Sequence, residues 1–162
     1  MGGALSFGNA FAKAQIGAGQ RLPVDGTVFI SVNNDDKANV VPIARDLRDL
    51  GFALYATRGT AAYLRAHGVD AQVVFKINEG RPHVADHILN RAIDLVINTP
   101  LGRESFFDDV SVRRVAMTHG VPCITTLTGA TAAVAAIRAL KSEELTVRAI
   151  QEYHEGIAAN QR

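Results

Sequence analysis

The chain has 162 residues, 48% hydrophobic and 20% charged, with a formal net charge of +1. This predicts one soluble domain with a full core and gives no electrostatic footprint for nucleic acid. A single cysteine, Cys123, excludes an internal disulfide framework and a cysteine-rich zinc site and fits a reducing cytoplasm, while no apolar run nears the ~20 residues that span a bilayer and the start lacks a signal-peptide pattern.

In chain order, "FGNAFAKAQ" (7–15) predicts a short helix with Phe7, Phe11 and Ala14 on one face. The Gly- and Pro-rich stretch 16–26 predicts a linker. A break this early assigns residues 1–25 to something upstream and 26–162 to the domain itself. Five short apolar runs then predict strands at 27–32, 52–57, 71–77, 94–99 and 122–126. Between the first two, Val41, Ala44, Leu47 and Leu50 follow helical spacing, with Pro42 suited only to a first turn and Gly51 as the stop. Further helices are predicted over 60–67, ended by Gly68; over 82–90, with Val84 and Ile88 one turn apart; over 109–119, ended by Gly120; and over the Ala-rich 128–140. Ser142 is placed to cap a last helix with Glu143 and Glu144 in its first turn.

The strands are nearly continuous apolar runs rather than alternating ones. Burial on both faces follows, hence a parallel sheet between two helix layers, a three-layer α/β/α fold. Ligands of such sheets bind beyond the carboxyl ends of the strands. Five polar segments leave those ends: "NNDDK" (33–37), "TRGT" (57–60), "KINEGRPH" (76–83), "NTPLGRES" (98–105) and "TTLTGAT" (125–131). In "TRGT", Gly59 predicts a conformation that side chains oppose, Thr57 and Thr60 offer hydroxyls, and Thr60 is a candidate helix cap. Free amides at a helix start suit a phosphate, although a plain capped turn also explains the motif. Lys37 and Lys76 leave neighbouring strands and offer two cations to one anion. Asn98 and Thr99 are candidate ribose contacts.

The remaining constellations carry less. His83 and His87 lie four apart, with helical spacing for a metal, but no third ligand is evident and a surface pair explains them. Asp35 and Asp36 suit acid–base work or an N-terminal cap. "RESFFDD" (103–109) predicts a loop with two aromatics, and Cys123 a core position. The sequence contains neither a phosphate-binding Gly-x-x-x-x-Gly-Lys loop nor a nucleophile elbow.

Taken together, "FAKAQIGAG", "GTVFISV", "DDK", "ATRGTA", "FKINEGRPH", "INTPLGRES" and "CITTLTGATAA" resemble, in the family's order, the C-terminal regulatory domain of the carbamoyl-phosphate synthase large chain. That domain has the methylglyoxal-synthase-like fold. The resemblance implies a five-stranded parallel sheet of order 3-2-1-4-5, and it makes residues 1–25 the tail of the preceding synthetase domain plus a linker. It implies an effector pocket for a nucleotide, with UMP inhibiting and IMP activating in bacterial members. Lys37, Thr57, Gly59, Thr60 and Lys76 would surround the phosphate. Arg58 lies among them at a position that varies in the family. Asn98 and Thr99 would face the ribose and base, with Gly102 and Arg103 nearby. Animal relatives respond instead to phosphoribosyl pyrophosphate or N-acetylglutamate. The domain itself would hold no cofactor and catalyse nothing. ATP with magnesium or manganese would belong to the synthetase domains, and the partners would be those domains and the glutaminase small chain, with a homo-oligomer open.

Two enzymes of the same superfamily are alternatives. Free-standing methylglyoxal synthase, acting on dihydroxyacetone phosphate, has an Asp-Pro-Leu segment where this chain has Thr99, Pro100 and Leu101. The cyclohydrolase half of the bifunctional purine enzyme has a Lys-Thr-Leu-His-Pro segment that is missing here after the third strand.

Overall fold

The structure is a computed structural model that describes residues 2–99, 106–142, 145–147, 149 and 151–152. Its elements run α1 (Phe7–Gly17), β1 (Thr27–Val32), α2 (Lys37–Asp49), β2 (Ala53–Ala56), α3 (Arg58–Ala66), β3 (Gln72–Val73), α4 (Val84–Leu89), β4 (Leu95–Thr99), α5 (Phe106–Thr118), β5 (Cys123–Ile124) and α6 (Leu127–Ser142). The strands form one five-stranded sheet of order β3-β2-β1-β4-β5, parallel throughout. The three-layer fold and its strand order therefore stand as the sequence and its resemblance imply.

The continuous apolar strands divide their side chains between two cores. Val28, Ile30 and Val32 of β1, with Leu95 and Ile97 of β4, face α2, α3, α6 and α1. The intervening Phe29 and Val96 face α4 and α5, where Val84, Ile88, Val112 and Ala116 meet them. Each such side chain, fully buried, is worth about 1.5–3 kcal/mol in transfer from water. A period-two alternation with apolar residues at both phases has no solvent side, which is why a two-sided sheet is the outcome.

Several elements differ from the sequence expectation. β3 and β5 shrink to two residues each. Both are edge strands with one hydrogen-bonding neighbour, so their apolar flanks leave the ladder early. α2 starts at Lys37, which puts Pro42 in its second turn rather than its first. A proline there leaves the carbonyl four residues earlier without its helical donor, and Pro42 is exposed, where water can serve that carbonyl. α4 starts at Val84 with His83 as its cap, so Pro82 precedes the helix instead of opening it. α5 begins at Phe106, inside the stretch expected to be a loop. Ser142 closes α6, its hydroxyl donating to the carbonyl oxygens of Arg138 and Ala139, rather than capping a later helix; Glu143 and Glu144 lie outside the described residues. In contrast, Gly51 and Gly68 follow α2 and α3 with φ of +94° and +76°, as helix stops should.

α1 packs along α6. The buried face is Gly8 and Ala12, not the predicted Phe7, Phe11 and Ala14. A Cβ on Gly8 would run into the Ala135 carbonyl, so the two helices approach by having no side chain between them. Phe11 packs against the core edge, whereas Phe7 is 66% exposed and Leu5 85%.

Candidate phosphate and effector site

The turn between β2 and α3 lies at the carboxyl edge of the sheet. Thr57 is buried and extended, with φ −61° and ψ 153°, and stands at the N-cap position without capping. Its hydroxyl donates instead to Thr60 Oγ1 at 3.1 Å. Thr60, 1% exposed, accepts from the Val32 amide at 3.4 Å, which ties the end of β1 to the first turn of α3. Thr60 is therefore an interior brace and not the predicted cap. The first helical bond is Ala61 N–H to Thr57 O at 2.8 Å. The amides of Arg58, Gly59 and Thr60 have no acceptor among the described residues. Unpaired donors at a helix start, with the macrodipole behind them, favour an anion.

Gly59 is helical and needs no left-handed backbone, contrary to the expectation. What it supplies is space. A Cβ there would sit 3.4 Å from Lys37 Nζ, so the ammonium at the first residue of α2 hangs over the first turn of α3. Lys37 and Lys76 are half-buried, and neither ammonium has an ion-pair partner among the described residues. Lys76 follows Phe75, whose ring carries the Arg58 guanidinium at 6.0 Å, so the chain at Lys76 also borders the α3 start. The structure thus groups Lys37, Thr57, Arg58, Gly59 and Thr60 in one corner, with the backbone of Lys76 in the adjoining segment.

Asn98 and Thr99 end β4 and are buried, at 2% and 5% exposure. Thr99 is held by Asn33, whose Nδ2 donates to Thr99 Oγ1 at 3.3 Å and to Asp36 Oδ2 at 2.8 Å. The Asn33 Oδ1 accepts the amides of Asp35 and Asp36 at 2.9 and 3.0 Å. Asn33, not either aspartate, organises the entry to α2. Gly102 and Arg103 lie outside the described residues.

Beside this corner, across the first turn of α2, opens a cleft of about 770 Å³ lined by Asn33, Asn39, Thr99, Thr125, Thr126 and Thr131 among others. Of the predicted contacts among the described residues, only Thr99 lines it. Its hydroxyl and amide groups suit the neutral polar part of a ligand. Asn33 and the threonines after β5 are not among the predicted contacts. The signal in the sequence is the position of "NNDDK" and "TTLTGAT" directly after strands, but Asn33 and these threonines carry no charge to mark them.

His83 and His87 form no exposed pair. His83 is 7% exposed and caps α4 reciprocally with Asp86: the Asp86 amide donates to His83 Nδ1 at 3.3 Å and the His83 amide to Asp86 Oδ2 at 2.9 Å. That backbone bond, aided by the charges of His83, Arg81 and His87, holds the Asp86 carboxyl below its ordinary pKa against the opposing effect of burial. His87 meets the edge of Tyr55. Among the described residues no cluster of three or more His, Cys, Asp or Glu is placed to hold a metal.

The sequence profile of the MGS-like domain matches residues 39–125, more than half of the chain. The chain belongs to the MGS-like domain family. A methylglyoxal synthase from Elizabethkingia anophelis shares the fold of this MGS-like domain with a TM-score of 0.60 at 18% identity, over 78% of this chain and 89% of that one. Among curated proteins, the carbamoyl phosphate synthase large chain of Nostoc sp. is 49% identical over 153 residues, which are 94% of this chain and 14% of that one. That of Acidobacterium capsulatum is 48% identical over 98% of this chain, again 14% of its own length. The C-terminal section of the large chain from Methanopyrus kandleri is 48% identical over 96% of this chain and 29% of that one. The MGS-like domain described here thus spans about 14% of the full-length relatives it matches. Among the described residues, no helix is long and apolar enough to cross a membrane.

Proposed function

We propose that this MGS-like domain is a non-catalytic effector-binding module of a carbamoyl phosphate synthase large chain. It takes a nucleoside monophosphate, with UMP as inhibitor and IMP as activator, and so tunes carbamoyl phosphate synthesis for pyrimidine and arginine formation in the cytoplasm. The observation that carries this reading is the start of α3, where three unpaired amides lie beside the half-buried Lys37 ammonium, which has no ion-pair partner among the described residues. Lys37, Lys76 and the amides of Arg58, Gly59 and Thr60 hold the phosphate. Asn98 and Thr99 serve the nucleoside end, toward the hydroxyl-lined cleft, and Gly102 and Arg103 complete that end. The domain uses no cofactor of its own; ATP and magnesium or manganese act in the synthetase domains.

Residues 1–25 are the tail of the preceding synthetase domain and a linker, a reading supported by the exposed Leu5 and Phe7 on α1. Regulation then requires that the effector bind two states of the attached domains and the glutaminase small chain with different affinity. The 48–49% identity over nearly the whole chain supports the assignment of the host enzyme.

The test is a thermal-shift panel on this chain with UMP, IMP and phosphoribosyl pyrophosphate. A ligand at about 100 times its Kd adds about 2.7 kcal/mol and raises Tm. A folded chain whose Tm responds to none of them overturns the reading. Methylglyoxal formation from dihydroxyacetone phosphate would instead favour the enzyme reading. Against it stands Thr99, an alcohol bonded to Asn33 where that enzyme has an aspartate.

A further inference from the structure

Lys76 opens a loop that leaves the sheet and returns to it at His83. The neck of this loop is closed at its base. Val84 N–H donates to Phe75 O at 3.0 Å, and Phe75 and His83 form an isolated parallel bridge. Asp86, one turn into α4, closes it from the other side. Its Oδ2 accepts the His83 amide at 2.9 Å, and its Oδ1 lies 3.4 Å from the Arg81 guanidinium. Within the loop, Lys76 and Glu79 are bonded to each other twice: Lys76 N–H donates to Glu79 Oε2 at 3.0 Å, and Glu79 N–H to Lys76 O at 3.1 Å. The whole segment is therefore a small closed ring, anchored to α4 through Asp86 and to the sheet through Phe75.

We infer that Asp86 is a positioning residue for Lys76: by clamping the loop neck it keeps the Lys76 ammonium beside the start of α3. This rests on the reading of that corner as a phosphate site. A lysine side chain loses much rotamer freedom on fixing, so a backbone already held at both ends is what makes the cation available at one place. Arg81 contributes least to the clamp because its side chain is 79% exposed and its ion pair is solvent-screened. The bond that matters is from the His83 amide, buried with its ring.

The experiment is a double-mutant cycle read by calorimetric titration of IMP and UMP into the 162-residue chain. Asp86→Ala should weaken binding by about tenfold, the size of one charge-assisted contact. Asp86→Asn, which keeps an oxygen for the His83 amide, should restore most of that. In the Lys76→Ala background, Asp86→Ala should cost nothing further, because its effect runs through Lys76. An equal loss in both backgrounds, or no loss in the parent, overturns the inference while leaving the phosphate corner intact. No loss from Lys76→Ala itself overturns the phosphate reading and the inference with it. A ligand-free arm stands beside the cycle. In Asp86→Ala the amides of Lys76 and Glu79 should exchange hydrogen several-fold faster while Ala61 and Ile97 are unchanged; unchanged exchange at Lys76 and Glu79 overturns the clamp.

Discussion

The starts of α3 and α4 lie on the same edge of the sheet, each following a strand, and they treat their free amides in opposite ways. At α4 the chain supplies its own acceptors: the His83 ring takes the Asp86 amide and the Asp86 carboxylate takes the His83 amide. At α3 the residue in the cap position turns away. Thr57 bonds to Thr60, Thr60 serves the Val32 amide, and three amides are left facing Lys37. A helix start that satisfies itself is structural, and one that leaves donors open beside unpaired cations is suited to a ligand. The contrast also shows why a hydroxyl residue at a cap position does not by itself predict a cap.

Removing both cations at α3 should break the contrast most strongly. The pair Lys37→Ala and Lys76→Ala should weaken IMP or UMP binding by at least about a hundredfold, since each contact to a charged group is worth about 1.5–3 kcal/mol. Tm should barely move, because half-exposed unpaired lysines add little to stability. Calorimetry and thermal melts check both halves. At α4 the sign of the effect reverses: His83→Ala should cost about 1–2 kcal/mol of stability, as a lost cap does. Thr57→Ala should cost about 0.5–1 kcal/mol, one buried hydroxyl bond and no cap. Urea denaturation of the two variants compares them directly.

Gly59→Ala separates packing from binding at a single site. Alanine favours a helix over glycine, so stability should hold or rise by up to about 0.5 kcal/mol. The added methyl would occupy the space between the helix start and Lys37 Nζ, and binding should fall by about tenfold. A parallel loss of stability would mean that the corner is a packed one. The smallest effect concerns acid. Asp86 is ionised in the folded state at a lower pH than in the unfolded chain, so its contribution is complete above the ordinary carboxylate range. It disappears as pH falls through the lowered value. The stability gap between the parent and Asp86→Asn should therefore be widest near neutrality and close in acid, as measured by urea midpoints across pH.

The parts of this comparison differed in how far the sequence revealed them. β1 is where its apolar run predicts it, and the helices that stop at Gly51 and Gly68 do so for a local reason that one residue carries. The lengths of β3 and β5 depend on being at the sheet edges, which is a property of strand order. The first residue of α3 was misplaced because Thr60 turns toward Val32, 28 residues away in sequence. His83 looked like half of a surface pair because its reciprocal bond to Asp86 requires the loop to close first. The positions of Lys37, Lys76 and "TRGT" on one edge were legible from strand exits alone. The cleft behind Asn33 was not, because its residues come from segments far apart in the chain and, Asp36 aside, bear no charge.

The central claim is that the amides at the start of α3 receive a phosphate while those at the start of α4 are already satisfied. Titrating a nitrogen-15-labelled chain with IMP or UMP tests it most directly. The account predicts that the amide resonances of Arg58, Gly59 and Thr60 move most and that those of His83 and Asp86 stay in place. Movement concentrated at His83 and Asp86, or none at Gly59 and Thr60 under saturating ligand, would contradict it.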